Sequence, residues 1–328
     1  SLFKIWKGGR KALFYARGFG EYLLPDPCWR RNAMRQLSSL TPGEAERIQE
    51  RVTYYNRLPA TDGGYDMAHW TRIGDFRYPF GKKEKFSTYF FDLYRTARCF
   101  PPGLRMAYRF GDVTEEPDEP AFVKSRPVKN GHSNSVLLKL NQIRHFSFWK
   151  DRLAFREKKD MLVGRNIVRQ PHRRLFLEMY EKHPLCDIGQ VNDDTNREHP
   201  EWVKGYLSVP RQLEYKFVCC IEGNDVATNL KWVMASNSLA VMPRPRFETW
   251  FMEGTLVPGR HYVEIKDDYS DLPEKLAYYI RHPEEAERII AHAHEHVRQF
   301  RDKRIEKAIA LRVMETYFLR TGQTMEGI

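Results

Sequence analysis

The sequence contains no run of about 20 apolar residues, the length a helix needs to cross a bilayer. No membrane-spanning helix is predicted, and the first residues lack the layout of a signal peptide. Cysteine is scarce: Cys28, Cys99, Cys186, Cys219 and Cys220. An odd number without metal-site or disulfide-framework spacing argues against a stapled secreted domain and favours a reducing compartment. No internal repeat or low-complexity linker is present. Zinc-finger spacing, an RNA-recognition motif and a basic zipper are all missing, which counts against a nucleic-acid-binding protein.

Acid is missing from residues 1–20, where Lys4, Lys7, Arg10, Lys11 and Arg17 alternate with Phe3, Ile5, Trp6, Leu13, Phe14 and Tyr15. Two readings stay open: a stretch lying on an anionic membrane surface, or a basic helix packed on its own domain. Over the whole chain 54 Lys and Arg against 43 Asp and Glu leave a net charge of +11. That excess favours anionic partners, from nucleotide-sugar pyrophosphates to phosphorylated glycans. The length, 328 residues, exceeds what one core usually supports and predicts two domains. With 20 Phe, 17 Tyr and 7 Trp there are enough large apolar side chains for two cores.

Thr41 to Leu58 opens on Thr-Pro-Gly-Glu and reads as a capped helix, followed by a turn at Thr61 to Gly64. His69 to Phe91 is aromatic and basic without a clean period. Leu104 to Phe110 and Ala121 to Ser125 read as short strands flanking an acidic loop, Gly111 to Pro120. Beyond a change of texture near residues 150–160 a βα rhythm begins. Met161 to Val163 reads as a strand, Gly164 to Asn166 as a turn, Pro171 to Glu181 as a helix, and Pro184 to Trp202 as a loop. Tyr215 to Ile221 is an apolar strand and Val226 to Ser236 a helix. Strands at Ser238 to Met242 and His261 to Ile265 and a helix at Asp271 to His282 follow. Such alternation predicts a parallel sheet covered by helices. Pro283 to Arg320 reads as one or two long helices.

Three segments offer chemistry. In Tyr215 to Pro243 a buried strand runs into Glu222-Gly223, and a helix is expected directly after it. Helix N-termini present unpaired N–H groups and attract phosphate; Lys231 adds a point charge. In Lys158 to Arg174, Arg165 follows a strand and Arg173 and Arg174 occupy a first helical turn. Cations there oppose the helix dipole and suggest an external anion; a solvated basic face is the alternative. In the acidic loop Asp112, at the strand exit beside Gly111, is the best placed general base. Two patterns are set aside. His292, His294 and His296 lack companion ligands for a metal, and Asp193-Asp194 lacks a hydrophobic strand in front and reads better as a loop.

The order of these segments resembles glycosyltransferase family 90, especially its bacterial lipopolysaccharide branch, related to capsule-associated xylosyltransferases and protein O-glucosyltransferases. The resemblance is carried by FGDVTEEPDEPAFVKSRPV with SNSVLLKLNQIRHF, by MLVGRNIVRQPHRRLFLEMYEKHPLCDIGQ, and by YKFVCCIEGNDVATNLKWVMASNSLAVMP with PGRHYVEIKDDYSDL. It spans about residues 105 to 300. It implies an α/β protein of GT-B type, two Rossmann-like domains facing across a cleft, with a helical C-terminal tail. On that reading residues 1–155 form the acceptor-side domain, the first 60 mostly helical. Residues 156–290 bind the nucleotide sugar, and 291–328 pack back toward the N-terminal domain.

The same resemblance implies an inverting, metal-independent enzyme with no cofactor, its UDP-sugar being a substrate. Asp112 matches the catalytic base. Arg165 matches the arginine of a Trp-Arg-Gly motif, with Gly164 and Asn166 replacing the other two residues, and Arg173 or Arg174 matches the next arginine. Glu222, Gly223, Asn224, Asp225, Val226, Ala227, Thr228 and Asn229 match the diphosphate loop, supported by Lys231. Glu248 is assigned either to ribose or sugar hydroxyls or to a structural role. Lys124, Ser125 and Arg126 fall on the acceptor or sugar side. The implied function is transfer of glucose or galactose to a lipopolysaccharide or lipooligosaccharide core sugar, in the cytoplasm and peripherally on the inner membrane. A glycan-binding pseudoenzyme is the quieter alternative, and a nucleic-acid-binding protein the more distant one.

Overall fold

The structure is a computed structural model. It describes all residues except 1, 61–63, 81–85, 129, 130, 132, 133, 193–198 and 325–328, with residues 2–8 described as helical backbone only. Asp193-Asp194, Thr61 to Gly63 and the side chains of Phe3, Lys4, Ile5, Trp6 and Lys7 thus lie outside the described residues. In chain order the first half contains α1 (Leu2–Tyr22), α2 (Asp26–Ser38), α3 (Pro42–Tyr55), β1 (Thr71–Arg72), α4 (Ser87–Ala97), β2 (Arg105–Met106), β3 (Tyr108–Arg109), β4 (Ala121–Val123), β5 (Ser125–Pro127), β6 (Ser135–Leu137) and α5 (Gln142–His145). Then follow β7 (Lys159–Asn166), α6 (Pro171–Tyr180), β8 (Cys186–Gln190), α7 (Val209–Gln212), β9 (Tyr215–Cys219), α8 (Leu230–Met234), β10 (Leu239–Met242), β11 (Phe247–Thr249), β12 (Val263–Glu264), α9 (Leu272–Arg281), α10 (Pro283–Arg298) and α11 (Lys303–Arg320).

The chain divides into two compact units. The first unites Ser1–Arg144 with Phe247–Phe251 and Phe300–Ile328; the second comprises His145–Arg246 and Met252–Gln299. In the first unit β3, β4 and β6 form a small parallel sheet, and β5 pairs antiparallel with β11. Helix α3 starts where the sequence places it. Thr41 Oγ1 accepts from the Glu44 amide, and Glu44 returns a carboxylate oxygen to the Thr41 amide, a capping box. Helix α11 is buried along its length at Ala308, Ile309, Leu311, Val313, Met314, Tyr317 and Phe318, apolar on more than one side as befits a central helix.

The second unit is built on a five-stranded parallel sheet in the order β8-β7-β9-β10-β12. Every residue of β9 is buried, the pattern of a central strand covered on both faces. Its core gathers Leu162, Ile188, Phe217, Leu239, Val241 and Val263 from the strands with Phe176, Leu177, Leu276 and Ile289 from the helices.

The structure corrects several expected elements. Gly164 to Asn166 continue β7 rather than turn, because they pair with Ile188 to Gln190 of β8. That strand lies within the stretch read as a loop; its polar sequence, Cys-Asp-Ile-Gly-Gln, hides an edge partner whose burial comes from the neighbouring strand. The helix expected over Val226 to Ser236 is confined to Leu230–Met234. Before it the chain turns: the Gly223 amide donates to the Asp225 carbonyl, and the Asn229 side-chain amide donates to the Cys219 carbonyl at 2.9 Å. Helix α4 lay unread in the aromatic stretch, since Tyr89 to Tyr94 are all buried and no polar face marks its period.

Candidate functional site

In the second unit the sheet order reverses between β7 and β9, counting outward from β7. In open parallel sheets ligands bind at the carboxyl ends of strands flanking such a switch point. Arg165 sits near that end of β7. Its Nη1 donates to the carbonyls of Gly164 and Asp187 at 3.0 and 2.7 Å, and its Nη2 to Asp187 Oδ1 at 2.7 Å. The side chain is 8% exposed, and its buried Nε has no hydrogen-bond partner among the described residues. Burial alone would raise the Asp187 carboxyl, but hydrogen bonds from Tyr215 and Arg165 outweigh it and hold it below its ordinary range.

Arg173, in the first turn of α6, is spent on backbone. It donates from Nε to the Glu222 carbonyl (2.9 Å), from Nη2 to Ile221 (2.8 Å) and from Nη1 to Ile167 (2.8 Å). His172 Nε2 meets the same Glu222 carbonyl at 2.9 Å. Burial foremost, with Arg246 and Arg173 nearby, lowers the imidazole's pKa, against the hydrogen bond, so it is neutral at pH 7 and donates from Nε2. The Glu222 carboxylate accepts from the Arg246 amide and Nε at 2.9 and 3.1 Å. A Cβ at position 223 would lie 3.2 Å from Arg173 Nη2, so Gly223 eases the arginine's close approach. Asn224 is exposed and accepts from Gln170 at 2.8 Å. Asp225, Val226 and Ala227 are buried, Thr228 and Asn229 half-buried.

Arg174 is half-buried in the same turn as Arg173. Lys231 is fully buried and ion-paired with buried Glu253 at 2.6 Å, which places its charge in the interior. Space at Gly164 is tight for the larger residue of the family motif: a Cβ there would lie 3.1 Å from the Cys219 side chain. The enclosed void lined by Gly164, Asn166, Arg173 and Gly189 measures about 10 Å³, enough for a water and far too small for a sugar nucleotide.

In the first unit Asp112 follows β3 through Gly111, whose φ of +102° lies where glycine is favoured. Asp112 Oδ1 accepts from Lys124 Nζ at 2.7 Å; the carboxylate's side chain is 41% exposed and that of the lysine 4%. Ser125 Oγ accepts from the Val113 amide at 3.3 Å and so ties the acidic loop to β5. Arg126 is fully buried. It donates to Glu248 Oε1 (2.8 Å) and to the carbonyls of Tyr55, Ser135 and Tyr54 (3.1, 3.0 and 2.7 Å). Glu248, 1% exposed, also accepts from Arg57 and from the Tyr54 hydroxyl. Lys124, Ser125, Arg126 and Glu248 are therefore enclosed, and of this group Asp112 alone presents a surface.

The sequence reading missed Asp187, His172, Gln170 and Arg246, which orient Arg165 and the 222–229 loop. Gln170 and His172 flank the helix-starting Pro171, a usable signal; Arg246 carries none. Among the described residues His282, Glu284 and Glu285 form a three-ligand cluster at the start of α10, while His294 is hydrogen-bonded to the Ser236 carbonyl at 2.7 Å. The five cysteines are free thiols, Cys28 exposed and the others buried.

One unit with a parallel sheet and an arginine at its switch point, and another that exposes a carboxylate at a strand exit, suit an α/β glycosyltransferase. The profile of glycosyl transferase family 90 matches residues 128–317, and the chain belongs to that family. It is 43% identical over 319 residues to the O-glucosyltransferase LpsA of Dichelobacter nodosus, covering 96% of this chain and 97% of that protein. A shorter likeness, 35% over 78 residues, joins it to Protein O-glucosyltransferase 3 of Rattus norvegicus, covering 24% of this chain and 15% of that one.

Proposed function

We propose that the protein is an inverting hexosyltransferase that moves glucose, or galactose in its place, from a UDP-sugar to a lipopolysaccharide or lipooligosaccharide core sugar. The near full-length likeness to a glucosyltransferase carries this reading. Asp112 takes the proton of the acceptor hydroxyl as its oxygen bonds to the anomeric carbon from the side opposite the nucleotide. The bond from that carbon to the diphosphate breaks, and UDP leaves with the electron pair. Lys124 holds the Asp112 carboxylate in place. Charge on the leaving diphosphate falls to Arg165, with its partnerless Nε N–H, to Arg174, and to amides of the Gly223 to Asn229 loop, rather than to a metal. No cofactor enters the scheme. The GT-B arrangement belongs to the same reading.

The proposed location is cytoplasmic, at the inner membrane. No described helix is long and apolar enough to cross a membrane. On α1, Leu13 and Arg17 are exposed on the face that leads to exposed Leu23 and Leu24. Of the acids beside that corner, Glu21 is ion-paired with Arg17 and Arg95, and Asp26 with Arg98. An apolar edge on a basic helix suits an anionic leaflet.

Asp112→Asn tests the mechanism. Turnover should drop roughly 10²–10⁴-fold, the usual worth of a general base, while UDP affinity by calorimetry stays within about twofold. Full activity in this variant would remove Asp112 from the reaction. A glycan-binding protein without turnover is the second reading, favoured by Gly164, which stands where the family motif has its tryptophan. It predicts no transfer from UDP-, GDP- or CMP-sugars by the unaltered protein, with or without divalent metal.

A further inference from the structure

The residues assigned by sequence to the acceptor side are enclosed, yet the first unit has an open recess of about 380 Å³ a short way along the same loop. That volume is within the range of small-ligand sites. Its base is Trp70, 3% exposed, whose ring lies 5.8 Å from that of fully buried Tyr317. Tyr317 is fixed in turn, donating to the Pro120 carbonyl at 2.9 Å and accepting from the Ala107 amide at 3.1 Å. Trp70 Nε1 donates to Glu119 Oε2 at 2.6 Å, and His69 Nε2 meets the same oxygen at 2.7 Å. One carboxylate therefore locks both rings. Tyr65 lies 6.1 Å from Trp70, tilted by 35°, and forms a half-exposed aromatic wall. Asp66, Asp118 and Arg109 stand exposed around it.

The chemistry of this lining is selective. Three carboxylates face one arginine and an imidazole, so the recess is unlike the basic surface the net charge of +11 would suggest. A phosphate or sugar acid entering it would meet like charge. A neutral pyranose would not: its hydroxyls can donate to Asp118 and Asp66 and accept from Arg109, while its C–H face covers the Tyr65 ring. The Gly111 to Pro120 loop carries Asp112 at one end, and Asp118 and Glu119 of the recess at the other.

We propose that this recess, lined by Tyr65, Trp70, Arg109, Asp118 and Glu119, binds an uncharged sugar unit. Its identity as part of the acceptor glycan rests on the transferase reading above; the binding itself does not. Acidic groups of the acceptor then lie outside this recess.

Saturation-transfer NMR on the full chain tests the site, with methyl α-D-glucopyranoside and glucose 6-phosphate as probes. Wild-type protein should bind the neutral glucoside, with glucose 6-phosphate about fivefold weaker or more. Tyr65→Ala and Arg109→Ala should reduce glucoside binding about tenfold with unchanged melting curves, and Asp118→Asn should narrow the discrimination against the phosphate. Equal or tighter binding of glucose 6-phosphate overturns the proposal. So does glucoside binding that is absent, or is indifferent to all three substitutions. In a transfer assay Tyr65→Ala should raise acceptor KM and leave donor hydrolysis unchanged. If the unaltered protein transfers nothing but the NMR pattern holds, the transferase reading fails and the sugar site stands.

Discussion

Arg126 and Glu248 show how a charged pair is made to serve an interior. The guanidinium donates to one carboxylate and three backbone carbonyls, and the register of β5 with β11 sets Arg126 opposite Glu248. Removing two charges from water is costly, and attraction offsets that only when the remaining donors are satisfied, as they are here. Arg126→Met should lower unfolding stability by roughly 3–5 kcal/mol, because it strands a buried carboxylate. Glu248→Met should do likewise, and the double variant should lose less than the sum. Urea denaturation of the four proteins measures the cycle; strict additivity would mean that the two side chains act independently. Asp112, by contrast, keeps an exposed edge, which is what a group meeting a substrate requires.

At the scale of elements, the connection from β9 to α8 is organised by side chains rather than by a helix. Arg173 and His172 from α6 hold the carbonyls at its start, and Asn229 holds the end of β9 from its far side. Backbone groups there are positioned without the dipole of a long helix, so any phosphate recognition depends on individual N–H groups. Helix α11 follows the opposite rule. Asp302 caps it, accepting from the amides of Arg304 and Ile305 at 2.9 and 3.2 Å, and burial of its apolar sides supplies the rest. Asp302→Ala should cost about 1 kcal/mol, the usual worth of an N-cap. A melting curve of the variant checks this; an unchanged midpoint would assign the start of α11 to tertiary packing alone.

At the scale of the molecule, the first unit is assembled from three stretches distant in sequence. Phe247–Phe251 and Phe300–Ile328 return to the N-terminal 144 residues. Buried Glu306 joins them, accepting from Arg51 (2.5 Å), Lys139 (2.6 Å) and Trp250 (2.7 Å). The charge of +11 also acts at this scale. Binding to vesicles with anionic lipid should weaken severalfold as salt rises from 50 to 300 mM, since screening shortens the Debye length. Zwitterionic vesicles should bind little at either salt. Sedimentation of the protein with vesicles measures both, and salt-independent binding would exclude an electrostatic contact.

Much of this was legible in the residues. The βα rhythm after residue 158, the Thr41 cap and the basic balance follow from local chemistry and composition, which a sequence carries in full, and the family segments from their resemblance to known proteins. Arg165 reads as part of a turn after a strand and lies within β7; its Asp187 partner goes unread, because it lies on a strand with no apolar pattern to betray it. Whether a charged residue faces solvent or the interior is not written locally. The resemblance assigns Lys124, Arg126 and Lys231 to the site, and Glu248 to the site or to a structural role. Charges are costly to bury, and only the tertiary structure supplied the partners that make the burial of all four affordable. The same holds for the recess around Trp70: its walls come from separate segments, and their convergence is a property of the folded chain alone.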